Sequence, residues 1–278
     1  MRIGLITPRP DHPLLAAATA LLTPRHQVVA VDPDGWQGGD DPAQEPSVVP
    51  LAVPSADVYL LKARTPRALA LGRALEARGA PVLNSPTATA RCQDRLEMAG
   101  LARNAGLPFA ETWTLGGPAT AAELPRPLVV KSRHSRRHDL VARVDDAARL
   151  RELRAAWPEE PLVAQEFTPN SGWDHKLWVI DGRVFAALRR SELARGGRGP
   201  TLPLAPGDLP GGWLGLVRTV GSVFALDVYG VDVIDAGGGA PLIVDINAFP
   251  GIRGQAGAPE ALAALALRAG SHSPSGDL

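Results

Sequence analysis

Two acidic residues stand inside apolar stretches of the second half of the chain, in YGVDVI and in IVDINAFPG. We predict that Asp232 and Asp245 lie on adjacent strands, and that Asn247 shares the face of Asp245 because strand side chains alternate. Three oxygen donors in this arrangement suit a hard cation such as Mg²⁺. Acids at solvent-exposed strand ends are the common alternative, but an unpaired carboxylate inside an apolar run costs free energy. The pattern therefore favours a metal site.

Basic residues elsewhere could complete such a site. Lys131 ends an apolar strand and opens into SRHSRRH, residues 132–138, whose clustered Arg and His side chains would repel one another without an anion. Lys176 and Arg190 fall on successive strands of a predicted hairpin, near acidic residues. Cations beside acids indicate a site for metal and phosphate. For residues 132–138, a solvated surface loop remains the alternative in this Arg-rich chain.

The elements that position these residues change character along the chain. Strands and helices alternate through the first 85 residues, which predicts a small α/β unit with a parallel sheet. Its strands are expected at 2–6, 27–31, 57–61 and 80–83, its helices at 13–22 and 66–78, and a surface loop at 35–50.

Beyond residue 84, strand signals dominate. The strands are expected at 109–115, 128–131, 140–144, 162–167, 176–180, 183–189, 229–234 and 242–246. Helices are expected at 87–105, 145–157, 214–224 and 260–268. Asp181-Gly182 indicates a hairpin turn. Residues 192–210 are predicted to be a loop.

Charge and composition exclude several classes of function. The 29 Lys and Arg residues balance the 29 Asp and Glu residues, so no overall field draws the chain to nucleic acid or an anionic membrane. The single cysteine, Cys92, excludes an internal disulfide and a zinc cluster. The first residues lack a signal-peptide core, and the apolar run at 261–269 is too short to span a bilayer. We predict a cytoplasmic protein, for which a homo-oligomer remains open.

The order of these motifs resembles the ATP-grasp superfamily. After Lys131 come AQEF at 164–167, GWDHKLWVIDG at 172–182, LRRS at 188–191, GVDVI and VDINAFPG. The helix opening NSPTATARCQDR, the GLP before an extended segment and the hairpin resemble RimK-type ligases, including the LysX-type enzymes. The segment VDINAFPG resembles a motif of the inositol polyphosphate kinases.

The resemblance implies an α/β ATP-grasp fold, in which two α+β subdomains grip ATP. It assigns residues 1–85 to a pre-ATP-grasp domain, 86–160 to a central subdomain, 161–270 to a C-terminal subdomain with the metal site, and 271–278 to a tail. It also implies ATP with Mg²⁺, or with Mn²⁺ in its place.

Site residues carry over by position in the motifs. The resemblance implies three metal ligands: Asp232, Asp245 and Asn247. It implies that five residues bind the nucleotide: Arg95, Lys131, Gln165, Glu166 and Phe167. It implies that two cations lie near the γ-phosphate as catalytic residues: Lys176 and Arg190.

Three features of the chain depart from the families it resembles. Arg95 stands where they usually have lysine, and Asp245 replaces the Glu of RimK-type ligases, as in the kinases. The loop at 132–138 lacks the glycines of a flexible flap, which suggests that side chains bind an anion there.

The resemblance favours one function, an ATP-dependent carboxylate–amine ligase that forms an acyl phosphate on an amino acid or peptide. A small-molecule kinase is the alternative, and an anionic substrate is expected for either.

Overall fold

The computed structural model describes residues 1–36, 53–116, 127–136, 138–194, 197 and 199–271. Three β-sheets follow one another along the chain, and helices pack against them, which confirms the predicted α/β class. Most of the predicted loop at 35–50, Arg137 and the predicted tail after residue 271 lie outside the described residues. Within the described ranges, no helix is long and apolar enough to cross a membrane.

The first sheet is parallel, as predicted. Its strands are β1 (Arg2–Ile6), β2 (Gln27–Val31), β3 (Val58–Leu61) and β4 (Val82–Leu83), in the order β2-β1-β3-β4. Helices α1 (Pro13–Leu22) and α2 (Pro66–Glu76) connect them. Both helices begin with proline, and the side chains of His12 and Thr65 accept hydrogen bonds from their first turns.

The expectation of one helix over residues 87–105 is wrong. Two helices occupy this stretch, α3 (Pro86–Arg91) and α4 (Arg95–Asn104). Asp94 between them has an extended backbone, and its carboxylate accepts the N–H groups of Leu96 and Glu97, which caps α4. Arg133 donates two further hydrogen bonds to Asp94. A cap and a tertiary ion pair therefore override the continuous helical pattern.

The second sheet is antiparallel. It contains β5 (Thr112–Thr114), β6 (Leu128–Ser132), β7 (Val141–Val144) and β8 (Leu162–Glu166), in the order β5-β8-β6-β7. Helix α5 (Ala147–Ala156) packs Leu150 and Leu153 onto one face of this sheet. The strands expected on either side of loop 132–138 are present and pair with each other as β6 and β7.

The third sheet carries most of the residues singled out above. Its strands are β9 (Trp173–Ile180), β10 (Arg183–Arg190), β11 (Thr201–Leu204), β12 (Val228–Asp235) and β13 (Pro241–Ala248), in the antiparallel order β11-β10-β9-β12-β13. The hairpin turn is confirmed: Asp181 and Gly182 both have positive φ, at 51° and 73°. Strand β11 contradicts the loop expected at 192–210. Its residues are mostly exposed on the sheet edge, so no apolar alternation marks it.

Two helices complete the third sheet. Helix α6 (Trp213–Phe224) buries Trp213, Val217 and Phe224 against it. Helix α7 (Ala258–Ser271) packs against α1 and against the first and third sheets, in a core that includes Leu14, Leu262 and Trp178. The N-terminal α/β unit is therefore joined to the third sheet through the last helix of the described chain.

Asn84 links the same two parts of the molecule by hydrogen bonds. Its side chain is fully buried, accepts the N–H groups of Asp227 and Val228 at 2.8 and 2.9 Å, and donates to the Val228 carbonyl at 2.6 Å. Substitution Asn84→Ala is expected to lower the free energy of unfolding by about 3 kcal/mol, because the backbone N–H groups of Asp227 and Val228 lose their acceptor. Urea unfolding followed by tryptophan fluorescence measures the change. The matched control is Asn104→Ala at an exposed helix end, and equal losses in both variants would contradict the assignment.

Candidate active site

The two acids lie opposite each other, as the strand pattern predicted. Asp232 in β12 is the cross-strand partner of Asp245 in β13, and the next pair is Val233 with Ile243. This shift of register leaves Val244 as a β-bulge residue without a partner in β12. Its carbonyl accepts a hydrogen bond from the Lys131 ammonium at 2.8 Å. The bulge thus joins the end of β6 in the second sheet to the acidic pair in the third.

Two cations, Lys176 and Arg95, form ion pairs with the two carboxylates. The Lys176 ammonium lies 2.8 Å from Asp232 and 3.3 Å from Asp174. Arg95, the first residue of α4, is buried and lies 3.5 Å from Asp245. Its guanidinium also donates to Asp139 at 2.8 Å and to the Ser132 carbonyl at 2.7 Å.

Mutual interactions shift the pKa values of these groups. Burial alone would raise the pKa of Asp245, but the charges of Arg95 and Lys131 outweigh it and hold that pKa below its usual value. Burial raises the pKa of Asp232. The positive charge of Lys176 lowers this pKa, whereas the negative charge of Asp245 raises it further. Burial lowers the pKa of Lys131 to about 8, although the Asp245 charge opposes the change. Lys131 is therefore still mainly charged at neutral pH.

One carboxylate oxygen of the acidic pair is unsatisfied within the described residues. Oδ1 of Asp245 is buried and has no hydrogen-bond partner among the described atoms. A buried carboxylate oxygen without a donor is unfavourable, and a divalent cation would satisfy it. Asn247 lies two residues further along β13, on the same face, but it does not line the cavity described below. In the described ranges, no cluster of three or more His, Cys, Asp or Glu side chains could hold a metal, so the two carboxylates need the amide or ligand oxygens.

A cavity of about 340 Å³ opens beside the acidic pair, between the second and third sheets. Most of the predicted site residues line it: Arg95, Lys131, Gln165, Glu166, Phe167, Lys176, Arg190, Asp232 and Asp245. Its volume is within the range of small-molecule pockets, which begins at about 300 Å³. The charged end is formed by the residues around Asp245, and the other end by the last residues of β8 and by Phe167, which follows it.

Residues 165–167 form that second end. Gln165 is buried and donates to the Thr112 hydroxyl at 3.2 Å, whereas Glu166 is exposed. The Arg143 guanidinium stacks over the Phe167 ring at 4.1 Å and also lines the cavity. A flat cation on an aromatic ring beside backbone donors and acceptors suits a planar heterocycle. Sequence reasoning missed Arg143, because nothing in the spacing of β7 distinguishes it from other exposed arginines.

Comparison with known proteins decides the family. A family model described as the RimK-like ATP-grasp domain matches residues 119–260. The chain belongs to the RimK-like ATP-grasp family. This confirms the RimK-type resemblance and the predicted ATP-grasp fold. ATP-grasp ligases use ATP and a divalent metal, and the residues around Asp245 fit both.

Relatives and solved structures agree with this placement. The ribosomal protein bS6–L-glutamate ligase of Shigella boydii serotype 4 is 27% identical over 198 residues, covering 66% of this chain and 64% of that protein. The RimK domain ATP-grasp protein from Sphaerobacter thermophilus has a TM-score of 0.74 at 21% identity, covering 96% of this chain and 100% of that chain. D-alanine–D-alanine ligase from Bacillus anthracis, complexed with ATP, has a TM-score of 0.70 at 14% identity, covering 98% and 99%. These structures show a shared fold. The chain spans less than two thirds of the length of the curated relatives it matches.

The basic loop at 132–138 of this RimK-like domain contains arginines that are paired with carboxylates of the protein itself. Arg133 binds Asp94 through two hydrogen bonds of 2.9 and 2.7 Å, and Arg136 binds Glu160. Arg137 lies outside the described residues. The premise that these charges need an anion is therefore wrong for Arg133 and Arg136, because protein carboxylates neutralise both. Sequence reasoning missed these partners, which are distant along the chain.

Proposed function

We propose that this chain is an ATP- and Mg²⁺-dependent carboxylate–amine ligase of the RimK type. The observation that carries the proposal is the pair Asp232 and Asp245, set beside Lys131 and Lys176 at the charged end of the cavity. We propose residues 1–85 as its pre-ATP-grasp domain, with 86–160 and 161–270 as the two ATP-grasp subdomains.

The metal would be held by Asp232, Asp245 and Asn247, with Mn²⁺ as an acceptable substitute for Mg²⁺. When bound, it would neutralise phosphate charge and make the terminal phosphorus of ATP more electrophilic. The partnerless Oδ1 of Asp245 supports this assignment. Arg95 would hold the Asp245 carboxylate in place by its ion pair. The Arg95 guanidinium is itself fixed by hydrogen bonds to the Asp139 carboxylate and the Ser132 carbonyl.

The basic residues of the cavity would neutralise the negative charge of the phosphates during the reaction. Residues 165–167 would bind the adenine end, Arg95 and Lys131 the phosphates, and Lys176 with Arg190 the terminal phosphate. A substrate carboxylate oxygen attacks the γ-phosphorus, and ADP leaves. An amine nitrogen then attacks the acyl carbon, phosphate leaves, and the nitrogen loses a proton. No side chain has to act as a nucleophile.

The substrate class follows from the relatives. One is named for joining L-glutamate to a ribosomal protein, which supports an amino acid or peptide as the substrate here. The kinase alternative rests on VDINAFPG, which contains Asp245, and on the basic loop at 132–138, whereas the family and the relatives named above favour a ligase. A ligase releases the terminal phosphate of ATP as free phosphate, whereas a kinase leaves it on the product.

A product assay separates them. Purified protein with Mg²⁺-ATP is screened against amino acids, short peptides and inositol phosphates, and ADP and free phosphate are measured together. We expect free phosphate in proportion to ADP, and a hydroxamate when hydroxylamine replaces the amine, because an acyl phosphate reacts with either nucleophile. ADP with a phosphorylated alcohol and no free phosphate would replace the ligase by the kinase.

A further inference from the structure

The basic loop at 132–138 is bound to the turn between helices α3 and α4 through its backbone. The Ser135 N–H donates to the Gln93 carbonyl at 2.7 Å, and the Arg95 N–H donates to the Arg133 carbonyl at 3.0 Å. These two hydrogen bonds flank an isolated antiparallel β-bridge. The loop therefore pairs with the start of α4 as a short strand would.

The Asp94 carboxylate joins the same two segments through its side chain. Its Oδ1 accepts the N–H groups of Leu96 and Glu97, which caps α4, and its Oδ2 accepts both hydrogen bonds from the Arg133 guanidinium. Burial alone would raise the pKa of Asp94, but the hydrogen bonds from Arg133 and from the helix N–H groups outweigh it and hold that pKa below its usual value. One side chain thus fixes the first turn of α4 and the loop to each other.

The other side of the loop is bound as well. The Arg133 N–H donates to the Pro161 carbonyl at 2.7 Å, and the Arg136 guanidinium forms an ion pair with Glu160. Contacts with protein atoms on two sides therefore define the position of the loop.

Arg95 connects the loop to the nucleotide cavity. Its guanidinium donates to the Ser132 carbonyl at 2.7 Å and to the Asp139 carboxylate at 2.8 Å, next to the two ends of the loop, and lies 3.5 Å from the Asp245 carboxylate. Arg95 is 5% exposed and lines the cavity, and its Nε has no hydrogen-bond partner among the described residues. This N–H group suits a phosphate oxygen as its acceptor. Because the guanidinium is bound to both ends of the loop, its position depends on the position of the loop.

We propose that Asp94 and Arg133 are positioning residues for the phosphate end of the nucleotide site: their ion pair holds the loop against α4 and thereby places the Arg95 guanidinium beside Asp245. The inference rests on the proposed ligase function and adds two residues that serve it from outside the cavity, since neither of them lines it. Arg95 lies at the charged end of the cavity. Loss of the ion pair should therefore weaken the binding of phosphates and leave the binding of the base unchanged.

The test compares ATP with adenosine, which lacks the phosphates. Both are titrated by calorimetry in the presence of Mg²⁺. Asp94→Asn removes the charge that pairs with Arg133 but keeps a good helix cap. We expect it to weaken ATP binding by about tenfold, the ratio for one charge-assisted hydrogen bond, and to leave the affinity for adenosine unchanged.

Two further variants test whether the residues act as a pair. Arg133→Gln should have the same effect as Asp94→Asn, and the double variant Asp94→Asn/Arg133→Gln should be no weaker than either single variant, because each change alone already removes the ion pair. Hydrogen exchange tests the position of the loop in the protein without ligand. The Ser135 and Arg95 amides donate the two backbone hydrogen bonds, and both should exchange at least about tenfold faster in each variant.

Asp146→Asn and Arg149→Gln are the matched controls. Asp146 caps α5 by accepting the Arg149 N–H, and Arg149 forms an exposed ion pair with Glu152, so the same two substitutions are made away from the cavity. Both controls should keep the affinities of the unmodified chain and its exchange rates at Ser135 and Arg95.

Several results would overturn the inference. They are unchanged ATP affinity in Asp94→Asn, equal weakening of ATP and adenosine, unchanged exchange at the two amides, additive losses in the double variant, or the same losses in the controls. Failure of the unmodified chain to bind ATP would count against the ligase function and remove the inference with it. Normal ATP binding by the unmodified chain and by both single variants would count against the positioning role alone.

Discussion

Replacing Asp245 with asparagine is expected to lower ATP turnover by at least about a hundredfold, since several kcal/mol of charge stabilisation depend on the metal. Asparagine keeps the size of the side chain but removes the negative charge. Oδ1 of Asp245 is the buried oxygen without a protein partner, so it is the atom a cation would use. Steady-state ADP release, measured at several Mg²⁺ concentrations, tests the expectation.

The matched control is Asp208→Asn, the same chemical change at an exposed position. Because Asp245 also neutralises Arg95 and Lys131, thermal melting of both variants must show that the fold persists. A folded Asp245→Asn protein with more than half of the normal turnover would remove Asp245 from the metal site. Partial rescue by high Mg²⁺ would agree with weakened metal binding.

Substitution Lys131→Met is expected to weaken ATP binding by about tenfold to a hundredfold, the ratio for one charge-assisted hydrogen bond. Methionine is similar in length and apolar, so it fits the buried end of β6 and removes only the ammonium. That group touches the bulged Val244 carbonyl and lines the cavity. Calorimetric titration with ATP in the presence of Mg²⁺ gives the dissociation constant.

Lys131→Arg serves as the comparison because it keeps the charge but changes its geometry. We expect it to retain more affinity for ATP than Lys131→Met does. Unchanged affinity in a folded Lys131→Met protein would place Lys131 outside the nucleotide site, whatever its effect on turnover.

The positions of Asp232 and Asp245 could be predicted because they depend on local patterns. Alternation along a strand fixes the face of a side chain, and strands that follow each other along the chain usually pair. The bulge at Val244 could not be predicted. It depends on backbone hydrogen bonds between Ile243 and residues 108–110, which belong to a segment far away in the sequence.

The remaining differences also come from distant partners. Arg133 and Arg136 were interpreted as unpaired cations because Asp94 and Glu160, which neutralise them, are about 39 and 24 residues away. Composition and periodicity report neighbours along the chain, whereas these contacts depend on the tertiary fold.

The packing of α7 against α1 has a consequence for biosynthesis. The N-terminal unit leaves the ribosome long before Leu262 and Leu265 are made, yet these residues complete the core around Leu14 and Leu15. Until then, one apolar face of the newly made unit lacks its cover, and such surfaces are the usual targets of chaperones and of aggregation. The N-terminal unit therefore reaches its final form only after strands β12 and β13 have been synthesised.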